Sequence, residues 1–202
     1  MNMPGLRTLL FLVATAALGG CSTADLHYFT LAPSITEAGA KTEGLRVLVG
    51  PVTVPEAVDR PQMVVLMSTN QVWIDDLNRW VAPLGENIGD AVVGNLQALL
   101  ATRDVAAGPL PAFDPSHRVT IDVQRFDSIP ATSVTVDAIW SVIPTAPGAT
   151  MRSGRTLAQE AVAGAGYDAI AAAHDRALAK VSTDIAAAIR ASAAPAPKPR
   201  RK

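Results

Sequence analysis

The chain has 202 residues, of which 49% are hydrophobic but only 4% aromatic, and its formal net charge is -1. Lys198, Arg200, Arg201 and Lys202 gather much of the positive charge at one end and leave a mildly acidic body, which lacks the concentrated basic face that nucleic-acid binding needs. With Cys21 as the single cysteine, no internal disulfide can form, and stability must come from packing a core of small aliphatic side chains.

Arg7, the apolar residues 8–18 and the run Leu18-Gly19-Gly20-Cys21 have the layout of a bacterial secretory signal that ends in a lipobox. Residues 1–20 are read as the signal peptide, and Cys21 as the mature N-terminus whose thiol receives a diacylglyceryl group. The alternative is a plain signal peptide, or an uncleaved membrane helix, with a cysteine there by chance. The apolar stretch is short for a span of roughly 20 residues. One acyl chain binds a membrane marginally, whereas a diacylglyceryl group with an N-acyl chain anchors permanently. Ser22 follows the cysteine in place of the aspartate that favours inner-membrane retention, so the expected location is the outer membrane, with the folded part facing the periplasm.

Downstream, residues 21–44 read as a lipidated tether and loop, with a β-prone patch at Tyr28-Phe29-Thr30-Leu31 before Pro33. Residues 45–54 form a strand candidate that Gly50-Pro51 marks as bulged or edge-lying. Residues 63–67 and 71–74 are β-type runs around a hairpin loop, Ser68-Thr69-Asn70. Pro83 then stands where an N1 proline belongs, and Leu84, Ile88, Ala91, Val92, Leu96, Leu99 and Leu100 recur at helical spacing. Residues 105–107 allow a short strand. Residues 117–126 alternate, with Val119, Ile121 and Val123 on one face, and 133–142 repeat the pattern with Val134, Val136, Ala138, Trp140 and Val142. These two make an antiparallel pair around residues 127–132. Residues 155–161 are a weaker strand, in which Leu157 and Gln159 carry the alternation. Tyr167, Ile170, Ala171, His174, Leu178, Val181, Ile185 and Ile189 line one stripe of a long helix. Residues 191–202, rich in Ala, Pro and Lys/Arg, cannot bury an apolar face and read as a disordered tail. That tail either solubilises the chain or touches anionic lipid or cell wall. The order β-β-β-α-β-β-β-α predicts a single α/β domain of the α+β kind over residues 45–190, with a mixed, mostly antiparallel sheet covered by two helices.

The residues that stand out do not require catalysis. Pro51, Pro55 and Pro61 fix φ and remove amide donors, either to shape strand ends or to present a rigid loop to a partner. Trp80 before Pro83 is a packed staple at a helix start or an exposed anchor in an interface, where Trp is enriched. Trp73 and Trp140 alternate with polar neighbours and read as core. Asp75, Asp76 and Arg79 form either a polar pair near Trp80 or a solvated turn. His27, His117 and His174 are isolated, and no H-E-x-x-H, G-x-S-x-G or Walker motif occurs. His174 falls on the apolar stripe and reads as a core or boundary histidine. Gly164-Ala165-Gly166 lacks the third glycine of a dinucleotide fingerprint and reads as a turn. Cys21, once acylated, has no free thiol. No catalytic residue, cofactor or metal ligand is assigned.

Taken in series, Tyr28-Phe29-Thr30-Leu31 after a lipobox, Val49-Gly50-Pro51-Val52 with Val54-Pro55, Asp59-Arg60-Pro61-Gln62-Met63-Val64, Trp80-Val81-Ala82-Pro83-Leu84 and Asn95-Leu96 form a pattern of motifs. With Trp140 and Tyr167-Asp168, it resembles the PqiC/YmbA family of ABC-type transport auxiliary lipoproteins over nearly the whole mature chain. The Pro/Ala basic tail and the alanine-rich last helix lie outside the pattern. The resemblance implies a non-enzymatic, lipid-anchored accessory subunit that works beside a PqiB-like MCE-domain protein in lipid transport between the two membranes. A ring or other symmetric homo-oligomer would suit such a conduit. With no phosphate-cradling loop in the chain, energy would come from an ATPase elsewhere. The expected partner-binding residues are Pro55, Arg60, Pro61, Trp80 and Pro83. A lipid-anchored hydrolase or ligand-binding module is the alternative.

Overall fold

In the computed structural model, which describes residues 25–36 and 44–193, the chain forms β1 (His27–Phe29), β2 (Val47–Thr53), β3 (Gln62–Ser68), β4 (Gln71–Trp80), α1 (Leu84–Leu100), β5 (Val105–Ala107), β6 (His117–Ile129), β7 (Ser133–Pro144), β8 (Arg152–Ala161) and α2 (Tyr167–Ala193). The signal peptide, Cys21 and most of the basic tail lie outside the described residues. The stretch read as tail begins as helix, because α2 runs through Ala193.

The alternation at 117–123 builds the centre of the molecule. Val119, Ile121 and Val123 point inward from β6, and Val134, Val136, Ala138, Trp140 and Val142 point inward from β7, all buried. The strands pair antiparallel from His117↔Pro144 to Ile129↔Ser133. A bulge between Val123 and Arg125 absorbs one residue and keeps Phe126 and Ser128 on the inner face. The bulge expected at Gly50-Pro51 is present as well, where the β2 register against β6 shifts between Val49 and Val52.

Strands dominate an α+β domain, as expected, but they divide into two sheets rather than one. One sheet has five strands in the order β5-β2-β6-β7-β8, and the other has three in the order β1-β4-β3. Pro51, Pro55 and Pro61 offer no amide donors, so the ladder breaks between β2 and β3. β3 then pairs antiparallel with β4, and β4 takes β1 as a parallel neighbour, Tyr28↔Arg79. Both helices cover one face of the larger sheet, α1 over β2 and β5 and α2 over β7 and β8, and they pack on each other. The core between the layers is mostly Val, Ala, Leu and Ile. No described helix is long and apolar enough to cross a membrane.

One expected core position is corrected. Trp73 is 58% exposed, because its part of β4 extends past the body of the domain. In β8 Leu157 is 65% exposed, while Thr156 and Ala158 are buried. The register of β8 is held by Trp140, whose Nε1 donates to Thr156 Oγ1 at 3.0 Å, and Thr156 Oγ1 donates to Asp184 Oδ2 on α2 at 2.6 Å. The Trp140 indole lies over Gly154, its cross-strand partner, where an added Cβ would meet Cζ2 at 2.5 Å. Gly154→Val should therefore force the indole off its site and cost about 1–3 kcal/mol. Urea denaturation checks this, with a fall in near-ultraviolet circular dichroism from the Trp140 environment.

Candidate functional site

The end of β4, the loop before β3 and the start of α1 meet at one place on the surface. Pro55 opens a tight turn in which Val58 N and Asp59 N donate to Pro55 O at 3.0 and 3.1 Å. The chain then doubles back, and Trp80 N donates to Pro61 O at 2.7 Å while Val81 N donates to Phe29 O at 2.8 Å. These bonds set Arg60 and Pro61 beside Trp80. Pro83, with φ -49° and ψ 136°, caps α1 one position before the helix proper, and Asn87 N donates to Pro83 O at 3.0 Å.

The result is a pocket of about 420 Å³ whose lining includes Tyr28, Asp59, Arg60, Pro61, Arg79, Trp80 and Pro83. Four of the five residues expected to bind a partner thus share one site. Pro55 does not reach it and serves as the head of the turn. Trp80 is buried, edge-on to Phe126 at 6.2 Å, so it is packed against β6 instead of standing out as an exposed anchor and contributes only part of a wall. Arg60 Nε is buried without a hydrogen-bond partner among the described residues. Arg79 Nε donates to the main-chain oxygen of Asp76 at 2.8 Å, not to a carboxylate. Beyond Pro83 lies a second pocket, of about 670 Å³, whose lining includes Asp59, Glu86 and Asp90. Asp59 lines both pockets, so the Arg60 and Arg79 guanidinium groups share theirs with one carboxylate, while Glu86 and Asp90 make the second pocket acidic.

Asp75 has a different role from the one expected. Its Oδ2 accepts from Tyr167 Oη at 2.7 Å, and its Oδ1 from the amides of Leu77 and Asn78. Burial pushes this carboxyl up, but those hydrogen bonds together outweigh it and hold the group below its ordinary value. Burial and the same bond push the Tyr167 phenol upward. The contact ties the hairpin to the start of α2.

Two asparagines that the sequence reading gave no role hold the N-terminal segment in place. Asn95 Oδ1 accepts from Ser34 N at 3.0 Å and Ile35 N at 3.1 Å. Asn87 Oδ1 accepts from Thr30 Oγ1 at 3.0 Å, and its Nδ2 donates to Ala82 O at 2.9 Å. From α2, Asp175 Oδ1 accepts from Ala32 N at 2.9 Å. Pro33 fits against Gly94, where a Cβ would come within 2.6 Å of its ring. The segment next to the expected anchor is thus strapped across both helices. Their signal is two amides eight positions apart inside the apolar stripe of α1. Asn95→Ala leaves two amides without an acceptor, and the expected loss is about 1–3 kcal/mol, with faster proteolysis before residue 36. Thermal melting and limited proteolysis measure the two effects.

Two serine–histidine pairs lie in the interior. Ser128 Oγ and His174 Nε2 share a hydrogen bond of 2.8 Å, with both residues buried and the imidazole stacked on Phe126 at 3.8 Å. His174 is thus a core histidine, though its Nδ1 has no partner among the described residues. His117 bonds to Ser116 and Ser192. Among the described residues no carboxylate orients either imidazole, and Ser128 is buried away from any substrate. Among the described residues no group of three His, Cys, Asp or Glu side chains is placed to hold a metal ion. Gly164 and Gly166 take φ of 128° and 98°, so this pair forms the expected turn into α2.

A family model described as "ABC-type transport auxiliary lipoprotein component" matches residues 29–186. The chain belongs to that family. The match begins at the end of β1 and runs through β2 to β8 and α1 into α2. Among curated proteins no relative matches. Among solved structures, the crystal structure of an uncharacterized protein aligns with TM-score 0.66 at 22% identity, covering 82% of this chain and 99% of its own. The protein XCC0632 from Xanthomonas campestris, a DUF330 member, aligns with TM-score 0.59 at 19% identity, covering 82% of this chain and 96% of its own. At these identities the likeness is one of fold. A transport auxiliary lipoprotein of this kind is a component of a larger transport system.

Proposed function

We propose that this family member is a lipid-anchored, non-enzymatic accessory subunit of an MCE-type, Pqi-like system that carries lipid between membranes and supports envelope integrity. Cys21 carries the anchor in the outer membrane, and the domain of residues 45–190 faces the periplasm. The subunit acts by binding its MCE-domain partner. The observation that carries this reading is the convergence of Arg60, Pro61, Trp80 and Pro83 on one open pocket, in a chain whose family is defined by service to a transporter.

The chemistry of the pocket fits a protein partner. Prolines and a packed tryptophan give a rigid wall that loses little entropy on binding, and Arg is enriched where interfaces concentrate their energy. A carboxylate from the partner would pair with the Arg60 and Arg79 guanidinium groups in charge-assisted bonds. Co-purification with the MCE-domain protein tests the reading. The wild-type chain should co-purify, and the Arg60→Glu, Arg79→Glu double variant should lose most of that binding with unchanged melting. Failure of the wild type to co-purify, together with turnover of a panel of esters, would replace this reading with a lipid-anchored hydrolase.

A further inference from the structure

The β3–β4 hairpin carries more apolar surface than a solvated arm needs. No charged residue occurs from Gln62 to Ile74, and both faces of the hairpin are apolar. On one face Met63 and Val65 enter the core, while Met67, 60% exposed, and Trp73, paired across from Val65, continue that face past the core's edge. They overhang a cleft of about 320 Å³ that Tyr167 and Ile170 help line. On the other face Val64 pairs with Ile74 and Leu66 with Val72, and Val72 is 53% exposed. An antiparallel sheet usually keeps one face polar. A bare apolar arm ending in an edge strand is an aggregation hazard unless something covers it.

The route of the chain into β1 indicates what covers it. β1 runs parallel to β4 with His27 opposite Asn78, so the chain arrives from the side on which β4 begins, which is the side of the hairpin turn. Cys21 precedes His27 by six residues, a reach of at most about 20 Å. The stretch of β4 from Gln71 to Asn78 spans a similar distance, about 23 Å at full strand extension. An acyl anchor at Cys21 therefore keeps a bilayer within reach of the turn, with exposed Leu26 along the same path.

We infer that the hairpin end, with Met67, Val72, Trp73 and Ile74, is a membrane-contacting element that docks on the phospholipid leaflet holding the Cys21 anchor. This rests on the lipid-anchor reading of Cys21. The composition suits shallow contact. Trp favours the headgroup level, the apex Ser68-Thr69-Asn70-Gln71 is polar but uncharged, and Asp75 and Asp76 are the first charges along β4, which keeps them in water. Two contacts, anchor and hairpin, fix the orientation of the body. The Arg60–Pro83 pocket lies at the far end of β4 from the turn and so points away from the bilayer, toward a partner in the periplasm.

Bromolipid quenching tests the inference on the purified, acylated full chain, with the mass of its N-terminal peptide measured first. The chain is reconstituted in phosphatidylcholine–phosphatidylglycerol vesicles whose phosphatidylcholine is brominated near the top of the acyl chains. Trp80 and Trp140 are buried, so Trp73 should dominate the quenching, and Trp73→Phe should lose most of it. Leu157→Trp placed in that variant, on the β8 edge, should not be quenched. An acylated Cys21 with unquenched Trp73 overturns the hairpin contact and leaves the anchor standing. An unacylated N-terminus overturns the anchor and this inference with it. A Trp73 emission shift that follows protein concentration instead of lipid assigns the surface to a second copy and overturns the inference as well.

Discussion

Cys21→Ala is expected to abolish acylation, and with it the lipobox cut after residue 20, without unfolding the domain. In the proposed lipoprotein this thiol carries acyl chains worth about 0.8 kcal/mol per buried CH₂, and two or three such chains together anchor stably. The hairpin end alone offers only a few apolar side chains at interfacial depth and cannot replace them. Cys21 also stands six residues ahead of β1. Membrane fractionation with mass measurement checks the outcome. A wild-type chain that sits in the membrane unacylated and at the mass of the uncleaved chain would mean that residues 1–20 act as a membrane helix, which contradicts the lipoprotein reading.

Acid should destabilise the fold well before most carboxylates titrate. His174 is fully buried, and burial lowers its pKa from 6.5 to about 3. The unfolded chain takes up a proton on this imidazole below pH 6.5 and the folded one does not. Its contribution to stability is therefore complete above pH 6.5 and is lost as pH falls, at about 1.4 kcal/mol per unit. At pH 4.5 the loss from this group is about 2–3 kcal/mol. His117, also pushed down by burial, acts in the same direction. Asp137, held below the usual carboxylate range by Arg155, and Glu160, held there by Lys180 and Arg176, add their losses only at lower pH. His174→Gln keeps a partner for Ser128 and does not titrate, so its stability should fall much less steeply between pH 6.5 and 4.5 in urea denaturation. An unchanged slope would remove His174 as the cause.

Much of the fold was legible where the pattern is local. The alternation of β6 and β7, the β3–β4 hairpin and the periodic stripe of α1 are each set by residues close in sequence, and the structure places them as read. Long-range pairing was not legible: nothing within 25–30 says that β1 will lie parallel to β4 and help split the strands into two sheets. Period-two alternation also leaves open which face turns inward. In β8 that choice is made by the Trp140–Thr156–Asp184 chain, reached only through tertiary contact, and it turns Leu157 outward. Trp73 shows the same ambiguity, since a strand overhanging the core has the alternation of one inside it.

The candidate site was readable as residues but not as a place. Arg60-Pro61 and Trp80 to Pro83 stand out as proline-bounded runs, and the structure adds that Trp80 N–H bonds to Pro61 and draws them into one pocket, with Pro55 left outside as the turn. The surrounding charge depends on loop geometry that no spacing rule encodes.

Site-specific photocrosslinking in intact cells tests the account most directly. A photoreactive amino acid at position 60, in the pocket, should crosslink to the MCE-domain protein, while the same group at position 157, on the distant β8 edge, should not. Equal crosslinking from both positions, or none from position 60 while the protein is correctly acylated and folded, would contradict the assignment of this pocket as the partner-binding site.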